Sequence, residues 1–294
     1  MKTIKSLFVL KAASTLAIAL VLILASCNKT NEVSSLSSVD SQSLSTEAAT
    51  DAKVDEVNDI AASALNTNDA PGGRVEDRDD RLDCATVTKD PSNTKEAGKI
   101  TLTFKSDCKD EDGDTRSGKI IITWSGGRWF VPGSVHTITL EEYSVNGVSI
   151  SGTRTVTNVS NATSPLTWNI VGSHKSTWSD GTTASREVKR TRQWVRSSVS
   201  PKEDKWIISQ TDPSVAAASG TNRNGKNYSV KITTPLQYFA SCGRRVHIPV
   251  IGVKVVTTDS KEYTVDYGDG TCDNRVTVTI NGVSKTITVN KDGN

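Results

Sequence analysis

Hydrophobic and polar positions alternate along most of this chain. Ile100, Leu102 and Phe104 are separated by Thr101 and Thr103, Ile120, Ile122 and Trp124 repeat the pattern, and Val135 and Ile138 to Leu140 extend it. A period of two places one set of side chains on each face of a strand. Asn-Gly stands between strand-forming runs at Val145-Asn146-Gly147-Val148 and again at Ile280-Asn281-Gly282-Val283. Both residues tolerate the positive φ of a type I′ turn, so each reads as a β-hairpin. Asp180-Gly181 and Asn224-Gly225 read the same way. The pattern predicts an all-β, antiparallel sheet or sandwich of hairpins over 81–294. Strand, cysteine loop and strand occur around Cys108 and again around Cys272, which suggests two related lobes, about 81–198 and 199–294.

Ahead of the strands the pattern differs. Residues 28–73 are rich in Ser, Thr, Asn, Asp and Ala and hold no aromatic residue. Such composition buries too little apolar surface to offset its ordering entropy, so 27–80 is expected to be a flexible tether. Within it, Val54, Val57, Ile60 and Leu65 follow a helical period, and Glu47 and Asp51 suit a helix N-terminus. One helix over 45–65 is expected there. The first 26 residues read as an export signal: Lys2 and Lys5, an apolar stretch from Ala12 to Leu24, then Leu24-Ala25-Ser26-Cys27. The stretch is shorter than a membrane span needs. The last four residues resemble the bacterial lipobox, whose cysteine, Cys27 here, takes a diacylglycerol.

The stretches Gly118 to Trp124, Gly152 to Asn158, Gly220 to Lys226 and Asp266 to Asn274 resemble a family of β-rich Bacteroidota lipoproteins with no assigned activity. The resemblance covers roughly Cys84 to Val289. It implies an envelope lipoprotein and an all-β fold, and it carries over no catalytic residues. Asn28 follows the lipobox cysteine where inner-membrane retention uses Asp, and an outer-membrane lipoprotein is expected. Lys29 precedes the first acid, Glu32, which favours the periplasmic side over the cell surface.

Charge and chemistry narrow the function. The chain has 35 basic and 33 acidic side chains. Loss of Lys2, Lys5 and Lys11 with the signal leaves it near neutral, with no electrostatic case for nucleic acid. Beyond Cys27 four cysteines remain. Of the three connectivities they allow, Cys84–Cys108 with Cys242–Cys272 is favoured, because each pair brackets a strand-rich stretch and closes a short loop. No CxxC spacing or histidine cluster supports zinc. Asp110, Asp112 and Asp114 alternate around Gly113 and form the candidate Ca²⁺ loop, although their order is not that of an EF-hand. Asp266, Asp269 and Asp273 form a weaker second one.

Gly220-Thr221-Asn222-Arg223-Asn224-Gly225-Lys226 approaches a phosphate-binding loop, but Asn227 follows the lysine and the next residues read as a strand. Glu141 and Glu142 are adjacent and would point to opposite faces of a strand, so they do not make a glycosidase pair. No nucleophile elbow is present, and an enzyme is not expected. Of the six tryptophans, at least four should fill the core. Trp129-Phe130, in a Gly-bounded loop, is the candidate exposed ligand contact. The basic run Arg186, Lys189, Arg190, Arg192 and Arg196 reads as a solvated face.

The sequence thus points to a lipid-anchored, non-enzymatic β module of the cell envelope that binds a partner or serves structurally. Its partners would be the membrane, through the lipid on Cys27, and an envelope protein or glycan. A glycan-binding surface lipoprotein is the first alternative and a hydrolase of envelope polymers the second. Substituting Cys27→Ala should move the expressed protein from the detergent phase to the aqueous phase of a Triton X-114 partition. A wild-type protein already in the aqueous phase would contradict lipidation.

Overall fold

The computed structural model describes residues 36–65, 79–161, 165–259 and 261–293. The export signal and Cys27 lie outside the described residues. The strands are β1 (Ala85–Lys89), β2 (Ala97–Lys109), β3 (Thr115–Ser125), β4 (Val135–Val145), β5 (Val148–Asn158), β6 (Leu166–Thr177) and β7 (Thr183–Val195). They continue as β8 (Lys205–Gln210), β9 (Ala218–Thr221), β10 (Asn227–Phe239), β11 (Ile251–Thr258), β12 (Lys261–Asp269), β13 (Arg275–Ile280) and β14 (Val283–Thr288). All fourteen belong to one antiparallel sheet in chain order, except that β10 follows β8 and the short β9 bridges β7 and β10. The fold is all-β, as the alternation predicts.

All four hairpin signals lie in strand connections. Asn146 and Gly147 have φ of 51° and 74°, and Asn281 and Gly282 have 49° and 77°, the left-handed values that type I′ turns require. Asp180-Gly181 joins β6 to β7, and Asn224-Gly225 joins β9 to β10. The phosphate-loop lookalike is therefore a hairpin. A bulge between Leu140 and Tyr143 breaks the alternation of β4. It leaves both Glu141 and Glu142 exposed rather than on opposite faces.

The expected lobes do not separate. Ser35–Asn294 forms one compact unit, and β7 pairs directly with β8 across the proposed boundary, with Trp194 opposite Trp206. A break there would leave both ladders with unpaired backbone groups.

The largest departure from expectation is the helix. α1 runs Ser38–Leu65, seven residues longer at its start than the expected 45–65. Ser37 caps it, its hydroxyl accepting from the Asp40 N–H at 3.0 Å. It is not part of a tether. From Leu44 to Ala61 every residue is buried except Glu56 and Asp59. Its contacts reach from β3 and β4 at one side of the sheet to β14 at the other, so the sheet curls around it.

Burial of so polar a helix is explained by the inner face of the sheet. Glu47, Asp51, Asp55 and Asp59 recur every fourth residue and form one stripe along α1. Arg186, Arg190 and Arg192 share parity on β7 and project inward from it. Asp51 accepts from Arg190 at 2.7 and 3.0 Å and from Arg186 at 3.0 Å. Glu47 is held by Arg186 and by Lys254 of β11. Asp55 is held by Arg190 and by Arg154 of β5, and Asp59 by Arg192 at 2.7 Å. The basic run is thus not a solvated face. Arg186, Arg190 and Arg192 are buried, while Lys189, of opposite parity, is exposed. Outward positions such as Ser149, Ser151 and Thr153 are polar and face water.

Both disulfides take the favoured pairing. Cys84–Cys108 and Cys242–Cys272 have Cα separations of 5.4 and 5.2 Å. In a chain-entropy estimate, loops of this length stabilise by about 3–4 kcal/mol each.

Burial alone would raise the pKa of Asp51 and Glu47, but the surrounding Arg186, Arg190 and Lys254 overcome it and both are lowered. A carboxylate lowered on folding contributes stability that is fully present above its unfolded pKa and is lost as pH falls through the folded value. Thermal melts should therefore fall steeply in midpoint below about pH 4. Asp51→Asn should lose about 3–5 kcal/mol at neutral pH, because it takes one of two acids from each of two buried arginines, and should show a shallower acid decline. An Asp51→Asn variant melting like the wild type would contradict the ladder.

Candidate functional site

Glu56 and Asp59, the two residues between Leu44 and Ala61 that the sheet leaves uncovered, line a cavity of about 610 Å³. Its aromatic wall comes from the ends of several strands and one loop. Trp129 and Phe130 lie in the β3–β4 loop, Trp168 opens β6, Trp194 closes β7, Trp206 opens β8 and Tyr238 closes β10. Alternation puts these rings on the inner face at the strand ends, so the fold gathers residues far apart in sequence.

The wall is continuous. Trp129 lies 5.8 Å from Trp168, Phe130 lies 6.4 Å from Trp168 and 5.9 Å from Trp194, and Trp194 stacks on Trp206 at 6.3 Å with an interplanar angle of 8°. Polar atoms at its back are satisfied. The Trp129 carbonyl accepts from Trp168 Nε1 at 3.1 Å and from Asn158 Nδ2 at 3.0 Å, and Trp194 Nε1 donates to Asp204 at 3.0 Å. The Arg192 guanidinium, held by Asp59, stands 5.7 Å from the Trp206 ring centre, within cation–π range.

Trp129 and Phe130 are therefore brought to a candidate site, but not as an exposed pair. Trp129 is 4% exposed and Phe130 half-buried, because the loop folds inward against Trp168. Five of the six tryptophans are buried and Trp206 is half-buried. Trp168, Trp194 and Trp206 were missed as site residues, since their alternation marks them only as inward-facing. Nothing in a single strand shows that inward means towards a cavity.

In the acidic loop, Asp110 and Asp114 come together with Glu56, and Asp112 does not join them. Asp110 accepts from Arg116 at 2.5 Å, and Asp114 accepts from Lys291 at 2.8 Å and Asn146 at 2.8 Å. Asp112 turns away to Arg244 at 3.1 Å and Arg245 at 3.6 Å. Glu56 approaches Asp110 and Asp114, but Arg116 bonds Glu56 and Asp110 and so already supplies the cation. These residues form ion pairs where a Ca²⁺ loop would need free oxygens. In the second loop, Asp266, Asp269 and Asp273 each cap their own turn, accepting from Gly268, Thr271 and Arg275.

The histidines are held neutral. Burial lowers His136 to about 4, and burial with Arg154, Arg186 and Arg190 lowers His174 to about 3. His247, on the cavity wall, is lowered by burial to about 4.

No protein-family model, curated protein or solved structure matches this chain.

His136 is fully buried against the Trp129 ring, 5.0 Å away, and has no hydrogen-bond partner among the described residues. Its folded pKa lies below the unfolded value, so its unprotonated state favours folding above about pH 6.5 and this advantage is lost as pH falls towards 4. His136→Phe should therefore gain in melting temperature over the wild type at pH 5 relative to pH 8. An equal difference at both pH values would contradict a buried neutral imidazole.

Proposed function

We propose that this chain is a lipid-anchored binding protein of the cell envelope, non-enzymatic, whose aromatic cavity receives carbohydrate. The observation that carries the reading is the wall formed by Trp129, Phe130, Trp168, Trp194 and Trp206 beside paired charges. An aromatic wall facing a charged one, in a volume of this order, suits a ligand with both apolar and polar faces. The half-buried Phe130 and Trp206 rings, backed by Trp129, Trp168 and Trp194, offer an apolar surface to the C–H faces of a sugar ring, while Asp59 and Arg192 offer partners for hydroxyl groups. The Cys27 lipobox supports anchoring, with the outer membrane and its periplasmic side preferred.

A binding role is favoured over hydrolysis by the state of the lining carboxylates. Glu56 is paired with Arg116 and Arg81, and Asp59 with Arg192. Glycoside cleavage needs two carboxyl groups facing the scissile bond, and both of these face guanidinium groups instead.

Fluorescence titration of the full chain with neutral galactobiose and longer neutral oligosaccharides tests the reading. Binding should change the tryptophan emission. Trp206→Ala should weaken it at least tenfold, about 1.4 kcal/mol, and leave the melting cooperative. An emission that no sugar alters, or a Trp206→Ala variant that binds equally well, would remove the carbohydrate reading.

A further inference from the structure

The cations around the cavity are nearly all spoken for. Arg81 bonds Asp79 at 2.7 Å, Arg192 bonds Asp59 at 2.7 Å, Arg244 bonds Asp80 at 2.6 Å and Lys291 bonds Asp114 at 2.8 Å. Lys53 differs. It projects from α1 into the same cavity and is 7% exposed. It makes no hydrogen bond or ion pair with any described residue. Asp292, Glu56 and Asp114 are the nearest acidic influences and Lys291 is a basic one. Of these acids, Glu56 already holds Arg116, Asp114 already holds Lys291, and Asp292 is engaged as well.

An ammonium group taken from water and left without a partner is costly. Here burial lowers its pKa to about 8 despite the three acids. A purely structural position would be filled more stably by an apolar side chain of the same length. The cost is recovered when an anion arrives in the cavity.

Resting on the carbohydrate reading above, we infer that Lys53 is the anion subsite of this cavity and that the ligand is a carboxylated sugar. Its ring lies against the tryptophan wall and its carboxylate against the Lys53 ammonium. A carboxylate fits better than a phosphate. One compact lysine charge balances one negative charge, whereas a phosphate monoester carries nearly two at neutral pH, and the other cations here are occupied. Lys53 and Asp59 are six residues apart, about 9 Å along the helix axis. Asp59 anchors Arg192 beside Trp206, so a ligand reaching from the aromatic wall to Lys53 is longer than a single ring. An acidic disaccharide is the smallest that fits this description.

Calorimetric titration of the full chain with digalacturonate, neutral galactobiose and benzoate tests this. Digalacturonate should bind at least tenfold more tightly than galactobiose. Lys53→Met should abolish that preference, keep galactobiose affinity within twofold, and melt at the same temperature as the wild type or higher. Equal affinity for the two disaccharides in the wild type would overturn the anion subsite and leave the carbohydrate reading in place. A preference that survives Lys53→Met would overturn it too. If neither disaccharide binds but benzoate does, and Lys53→Met loses benzoate, the anion subsite stands and the carbohydrate reading falls. If none of the three binds, both fall.

Discussion

Everything in this fold depends on the carboxylate–cation ladder between α1 and the inner face of the sheet. A helix with Glu47, Asp51, Asp55 and Asp59 along one face cannot enter an apolar core, and Arg154, Arg186, Arg190 and Lys254 cannot face one either. Each set makes the other's burial tolerable. Buried pairs of this kind add little net stability over a well-packed apolar alternative, yet neither half is dispensable. What the ladder contributes is position. Its four-residue repeat would accept a slip of one helical turn along most of its length. At the ends it would not, because Lys254 or Arg192 would lose its acid. Glu56 opposite Arg116 fixes the same register independently.

The sheet that surrounds the helix runs in nearly unbroken chain order, and its first and last strands, β1 and β14, have no hydrogen-bonded ladder between them among the described residues. Side chains bring the two sides together instead. The loop after β2 meets the segments after β10 and β14 through Asp112 with Arg244 and Asp114 with Lys291. Cys108 stands just before the first of these segments and Cys242 just before the second. The disulfides therefore brace the seam from both sides. Carboxylates that alternate around a glycine turn look like cation ligands in sequence, and they are: the cations are arginine and lysine.

Strand patterning, hairpin turns and cysteine pairing were legible in the sequence because each depends on near neighbours or on a period of two. Val145-Asn146-Gly147-Val148 specifies its own turn wherever it occurs. The helix was legible as a helix from Val54, Val57, Ile60 and Leu65, but its environment was not. Low hydrophobicity reads as solvent exposure unless a complementary charge pattern is noticed more than a hundred residues away. The signal was present: acids at every fourth position from 47 to 59, and arginines of one parity at 186, 190 and 192. The cavity was the least legible part. Trp129, Trp168, Trp194 and Trp206 look like any inward-facing residue until the curl of the sheet and the uncovered side of α1 are known.

The placement of α1 would also change how far a domain anchored through Cys27 could stand from its membrane. A tether running to residue 80 would let it roam widely. With Ser37 already capping a helix inside the sheet, only about 10 residues separate it from Cys27, and fully extended chain covers at most ~36 Å over that length. A lipid on Cys27 would hold the domain on a short leash. The sheet would work close to the leaflet, reaching ligands at or near the membrane surface and few beyond it.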